Sequence, residues 1–136
     1  MCKLNSSLNV QKLPVSRREL GGQTHWIPNT DVYVSDEGLV VKVELSGMKR
    51  EDLELAVEGS RLVISGQRPD GCRAPGIKFL FMEISYGAFE CVIEIPPGYD
   101  LSQARAAYQN GFLRVDVPVA DGVTSKAHFV PISGEK

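Results

Sequence analysis

From Trp26 onward, apolar and polar residues alternate with a period of two. In GLVVKVELSG, Leu39, Val41, Val43 and Leu45 fall on one face and Lys42 and Glu44 on the other, the pattern of a strand buried on one side. DLELAVEG repeats it with Leu53, Leu55 and Val57 against Glu54 and Glu58; Gly59-Ser60 then turns the chain into RLVISG, whose Leu62 and Ile64 point inward. AFECVIEIPP sets Phe89, Cys91, Ile93 and Ile95 against Glu90 and Glu94, and Pro96-Pro97 ends the strand because proline cannot donate to a ladder. Asn110-Gly111 supplies the positive backbone angles of a type I′ hairpin, followed by Leu113, Val115 and Val117. No segment keeps a helical period, so these short strands punctuated by Gly and Pro predict an all-β, immunoglobulin-like sandwich.

Three stretches break the rhythm. Residues 1 to 25 show no sustained period and predict an arm, mobile or ordered only against a partner. QRPDGCRAPGIKFLFMEISYG is a long excursion whose Ile77 to Met82 forms an apolar run of strand length. A loop carrying its own strand is unusual inside a compact sandwich, and pairing with another subunit explains it economically; a lid folded over its own sandwich is the alternative. After Pro118 the chain is polar except for Phe129-Val130-Pro131-Ile132. In extended conformation Val130 and Ile132 share a side, and Pro131 stiffens the backbone between them, so this segment suits addition to an exposed sheet edge. The domain organisation is therefore 1–25 arm, 26–118 sandwich and 119–136 tail.

Composition narrows the chemistry. The chain has 136 residues and a formal charge of −2 with acidic and basic residues interspersed, which points away from nucleic acid. No apolar run reaches the roughly 20 residues of a membrane span, and the first residues lack an apolar signal core, so a cytoplasmic location is expected. Cys2, Cys72 and Cys91 are odd in number and widely spaced, which suits neither a disulfide framework nor a zinc site. Cys91 reads as core; Cys72, in the loop, is an unpaired thiol or a redox handle. His25 and His128 lie in opposite arms without a second ligand at metal spacing. Ser85 is not in a G-x-S-x-G elbow, and there is neither a phosphate loop nor a dinucleotide fingerprint. No catalytic, cofactor-binding or metal-binding residues are expected, and no enzyme activity.

With these residues in view, the chain resembles the small heat-shock proteins built on the α-crystallin domain, in their bacterial and plant-type branch. The likeness runs from Trp26 to Pro118 and into the tail. Its first half is carried by Pro28 and Asp31, by Leu45-Ser46-Gly47 and by Glu51-Asp52-Leu53; the branch-specific spacing by Glu83, Tyr86-Gly87, Phe89 and Ile95-Pro96. Ala106, Asn110, Gly111 and Leu113 match the family signature A-x-x-x-N-G-x-L, and Val130-Pro131-Ile132 the C-terminal I-x-I/V motif. Where the branch usually carries arginines, this chain has Phe81, Ile84 and Cys91.

The resemblance implies an ATP-independent holdase without cofactor, working as a homodimer or larger oligomer on partly unfolded clients. It implies that Val130, Pro131 and Ile132 are the oligomerisation tail, received in a groove marked by Leu55, Val57, Leu101 and Gln103. It further implies that Ile77, Phe79 and Phe81 form an exchanged strand pairing with Val32, Tyr33 and Val34 of a partner subunit. The competing reading is a CS-type co-chaperone domain, an interaction module on the same sandwich that usually lacks the exchanged strand and the tail motif.

Overall fold

A computed structural model describes residues 10–13, 25–71, 74–120 and 128–134. The described residues form ten strands in chain order: β1 (Gln11–Leu13), β2 (Thr30–Ser35), β3 (Gly38–Glu44), β4 (Leu53–Glu58), β5 (Arg61–Arg68), β6 (Gly87–Glu94), β7 (Arg105–Gln109), β8 (Phe112–Pro118), β9 (His128–Phe129) and β10 (Ile132–Gly134). They make two five-stranded sheets, ordered β1-β6-β5-β4-β9 and β10-β7-β8-β3-β2. The expected all-β sandwich is what forms, and among the described residues the only helical pieces are 3₁₀ turns at Arg50–Asp52 and Leu101–Gln103.

The period of two explains the layering. Leu39, Val41, Val43, Leu55, Val57, Leu62, Ile64, Phe89, Cys91, Ile93, Leu113, Val115 and Val117 are all buried between the sheets, while Lys42, Glu44, Glu54 and Glu58 face outward and are exposed. Register follows from the turns. Asn110 and Gly111 have φ of 53° and 81°, both in the left-handed region, and join Gln109 to Phe112 in a two-residue hairpin. Polar groups drawn into the interior are satisfied: the buried Tyr108 Oη donates to Leu45 O at 2.6 Å, and the buried Asp100 carboxylate caps the Leu101–Gln103 turn by accepting from Ser102 N at 3.0 Å.

Two segments differ from expectation. The arm contributes β1, which pairs antiparallel with β6 so that Lys12 lies opposite Ile93; Lys12 Nζ then donates to Pro28 O at 2.7 Å. Three residues are too few to show a period, and the edge of β6 supplies the hydrogen bonds that make them a strand. Conversely, Ile77 to Met82 is of strand length and composition but is not a strand, and joins no ladder among the described residues. Strand propensity expresses itself only where a neighbouring strand offers backbone partners, and among the described residues no strand lies alongside this segment, whose Ile77 N donates only locally, to Ala74 O at 3.3 Å.

Candidate interaction edges

A sandwich of two sheets has four edges, and each is a row of backbone groups awaiting partners. Three are closed by short pieces from the ends of the chain. The β6 edge receives β1 and, further along, Trp26, whose amide donates to Ala88 O at 3.2 Å and whose Nε1 donates to Gly87 O at 3.0 Å. The β4 edge receives β9, with His128 opposite Val57 and Phe129 opposite Ala56. The β7 edge receives β10 in parallel, Ile132 opposite Ala106. The fourth edge is β2, six residues long, which pairs only with β3 among the described residues. Its Tyr33 and Val34 are exposed.

The tail crosses from one sheet to the other within four residues. Val130 N donates to Leu55 O at 3.0 Å, Val130 is 5% exposed and joins the core, and Ile132 packs against the core beside β7. Phe129 points the other way and is 68% exposed. Pro131 suits the position between two paired segments because its missing donor falls where no ladder bond is required. The tail cleft is lined by Arg50, Leu53, Glu54, Leu55, Phe129, Val130 and Ile132.

The structure therefore brings Val130 and Ile132 into one cleft with Leu55, while Val57 lies opposite His128 and Pro131 is exposed. It does not bring Leu101 and Gln103 into that cleft. Leu101 is buried in the core, and Gln103 is exposed on a wider cleft beside Arg105, Arg114 and Asp116. Ile132 instead lies opposite Ala106 of β7, one of the signature positions on the strand before the Asn110-Gly111 turn, and Leu53 lines the cleft. A small residue opposite an incoming branched side chain was the available signal.

Val32, Tyr33 and Val34 lie on the open β2 edge. Ile77, Phe79 and Phe81 lie outside any strand, in a stretch that bends at Leu80 and exposes its apolar side chains, Leu80 at 89% and Phe81 at 79%. Ile77, Phe79, Leu80, Phe81, Met82 and Ile84 are all exposed. The signature residues divide by role, with Ala106 on β7, Asn110-Gly111 in the turn and Leu113 in the core.

Cys91 is buried, its Sγ 3.6 Å from Thr30 Oγ1; burial raises its pKa, against smaller lowering effects of the Thr30 contact and of Lys12. Cys2 and Cys72 lie outside the described residues. Glu94 has its pKa lowered, first by the Ser60 hydroxyl and then by Arg61, whose Nε lies 2.9 Å from it, and as an exposed pair it contributes little to stability. Among the described residues no group of His, Cys, Asp and Glu could hold a metal ion, and no helix is long and apolar enough to cross a membrane.

The model of the Hsp20/alpha crystallin family matches residues 31–133. The chain belongs to that family. It is 30% identical over 113 residues to spore protein SP21 of Stigmatella aurantiaca, covering 83% of this chain and 67% of that protein. It is 35% identical over 99 residues to the 16.9 kDa class I heat shock protein 3 of rice, covering 72% of this chain and 66% of the relative; the chain thus spans about two thirds of the length of these curated relatives. The hspA crystal structure from Xanthomonas axonopodis superposes with a TM-score of 0.67 at 24% identity, covering 74% of this chain and all of that one, which establishes the shared sandwich. The family match takes in the open β2 edge, the exposed apolar segment and the tail.

Proposed function

We propose that this small heat-shock protein is an ATP-independent holdase that captures partly unfolded chains as a dimer or larger assembly and delays their aggregation. The observation that carries the reading is the unequal treatment of its edges among the described residues: three are closed by two- and three-residue strands from either side of the sandwich in sequence, while six residues of β2 stay open and an apolar segment, Ile77 to Met82, stays exposed. An unfolding protein presents the same two features, unpaired strand edges and apolar surface, which is why such chains aggregate. A sandwich that offers both is a competing partner that ties up client surface reversibly.

Two contacts between subunits follow on this reading. The segment of Ile77, Phe79 and Phe81 pairs with Val32, Tyr33 and Val34 of a second copy, reciprocally about a twofold axis. The tail of Val130 and Ile132 moves from its own cleft to that of a neighbour and links dimers. Burying these two side chains returns about 1.5 to 3 kcal/mol each, against several kcal/mol for ordering the tail and losing translational freedom, so one tail binds weakly and several together hold an exchanging assembly. The activity is expected to operate in the cytoplasm, on clients recognised by exposed apolar surface rather than by a sequence code.

The test is a client heated to aggregation without ATP. Equimolar chain is expected to suppress light scattering; undiminished scattering overturns the proposal.

A further inference from the structure

Arg68 closes the strand that leads into the apolar loop and lies opposite Gly87, where the chain returns. Its side chain joins three segments distant in sequence. Nε donates to Ser85 O at 2.8 Å and Nη2 donates to the same carbonyl, while Nη1 donates to Ser46 O at 3.3 Å in the turn after β3. The guanidinium lies 4.2 Å from the centroid of the Trp26 ring and 5.7 Å from that of Tyr86, within the range of cation–π attraction. Trp26 is itself tied down by its Nε1 bond to Gly87 O and by ring contact with Phe89, centroids 5.3 Å apart.

The two ends of this clamp matter for the exchange proposed above. Ser85 and Tyr86 are the root of the segment a subunit gives away; Trp26 stands just before β2, the edge on which it would receive one. We infer that Arg68 is the positioning residue of subunit exchange, fixing the root of the donated segment and the root of the accepting strand against one another. This rests on the exchange reading. A flat cation with a fork of donors is needed, because the same group must lie on a ring while two of its nitrogens share one carbonyl and a third reaches another; lysine can supply the charge but not the fork.

The experiment compares the full chain with R68Q, R68K and a variant lacking residues 69–85, using sedimentation over a concentration series, hydrogen exchange, and the fluorescence of Trp26, the one tryptophan in the sequence. R68Q is expected to leave amide protection in β3 and β8 unchanged, to speed exchange around Ser85 to Gly87, to shift Trp26 emission, and to raise the dimer Kd at least about tenfold, since the charge-assisted bonds to Ser85 O and Ser46 O weaken together. R68K is expected to keep the Trp26 emission of the parent while its dimer still weakens, which separates the fork from the charge and covers any misfolding of R68Q. If the loop deletion dissociates the dimer but both Arg68 variants keep parental affinity, the inference falls alone. If the dimer survives the loop deletion, the exchange reading falls and takes the inference with it.

Discussion

Val130 donates its backbone N–H to the carbonyl of Leu55 at 3.0 Å, so the tail is held by its own domain through the edge of β4 and through a side chain buried in the core. This docking competes with any docking on a neighbour.

The double substitution Val130→Ala with Ile132→Ala should therefore release residues 128–134 without unfolding the sandwich. Truncating Val130 removes about 1 to 3 kcal/mol of burial, comparable to what a short tail can hold. Hydrogen exchange at Val130 should rise at least tenfold while β3 and β8 keep their protection. Light scattering should show a folded dimer without larger species, and unchanged mass would sink the linking role.

Tyr108→Phe isolates a single buried hydrogen bond. The Leu45 carbonyl loses the phenol 2.6 Å away and remains buried, a penalty of about 1 to 2 kcal/mol. Thermal unfolding should fall by a few degrees, and a midpoint unchanged within one degree would mean that water replaces the phenol.

Gly66→Ala should be more damaging than its position in a strand suggests. A Cβ there would lie 2.3 Å from Asp52 O and 2.8 Å from the Phe89 ring, so backbone or core must move, costing about 2 to 3 kcal/mol. Gly59→Ala, where nothing stands within 4 Å of the added carbon, meets only the strain of its positive φ of 63°. Denaturant midpoints of the two variants should rank Gly66→Ala as the less stable.

Cys91 supplies a pH dependence. Burial holds its folded pKa above the ordinary thiol value, so the folded state favours the neutral thiol. Its contribution is fully present below the unfolded pKa, about 8.5, and is lost as pH rises through the folded value. In a background with Cys2 and Cys72 changed to Ser, alkylation of Cys91 should track global unfolding, and the alkaline loss of stability should shrink in Cys91→Ala. Labelling at the rate of an exposed thiol under native conditions would contradict the burial.

The parts of the fold legible in advance were those where local and global preferences coincide. The alternation at Leu39 to Leu45 and at Phe89 to Ile95 named the core face because a strand with one buried side has no other way to arrange those residues, and Asn110-Gly111 named its turn because few residues tolerate two positive φ values in succession. The candidate interaction residues were legible only as segments. Val130 and Ile132 stood out as apolar residues in a polar tail, but whether they meet Leu101 and Gln103 or Ala106 and Leu53 depends on how two sheets converge at an edge.

By itself the sequence determined which residues lie between the sheets, where the main hairpins turn, and that an apolar loop segment and an apolar tail island exist outside the alternating core. Those features are written in spacing, and spacing is local. Only the tertiary structure decided which edges are filled: β1 on β6, β9 on β4, β10 on β7, and β2 left open among the described residues. Edge filling is a contest among segments far apart in the chain for the same backbone donors and acceptors, and its outcome follows from which of them the folded core brings within hydrogen-bonding reach. The same holds for Arg68, an unremarkable charge at a strand end until folding places Trp26, Tyr86 and Ser85 around it.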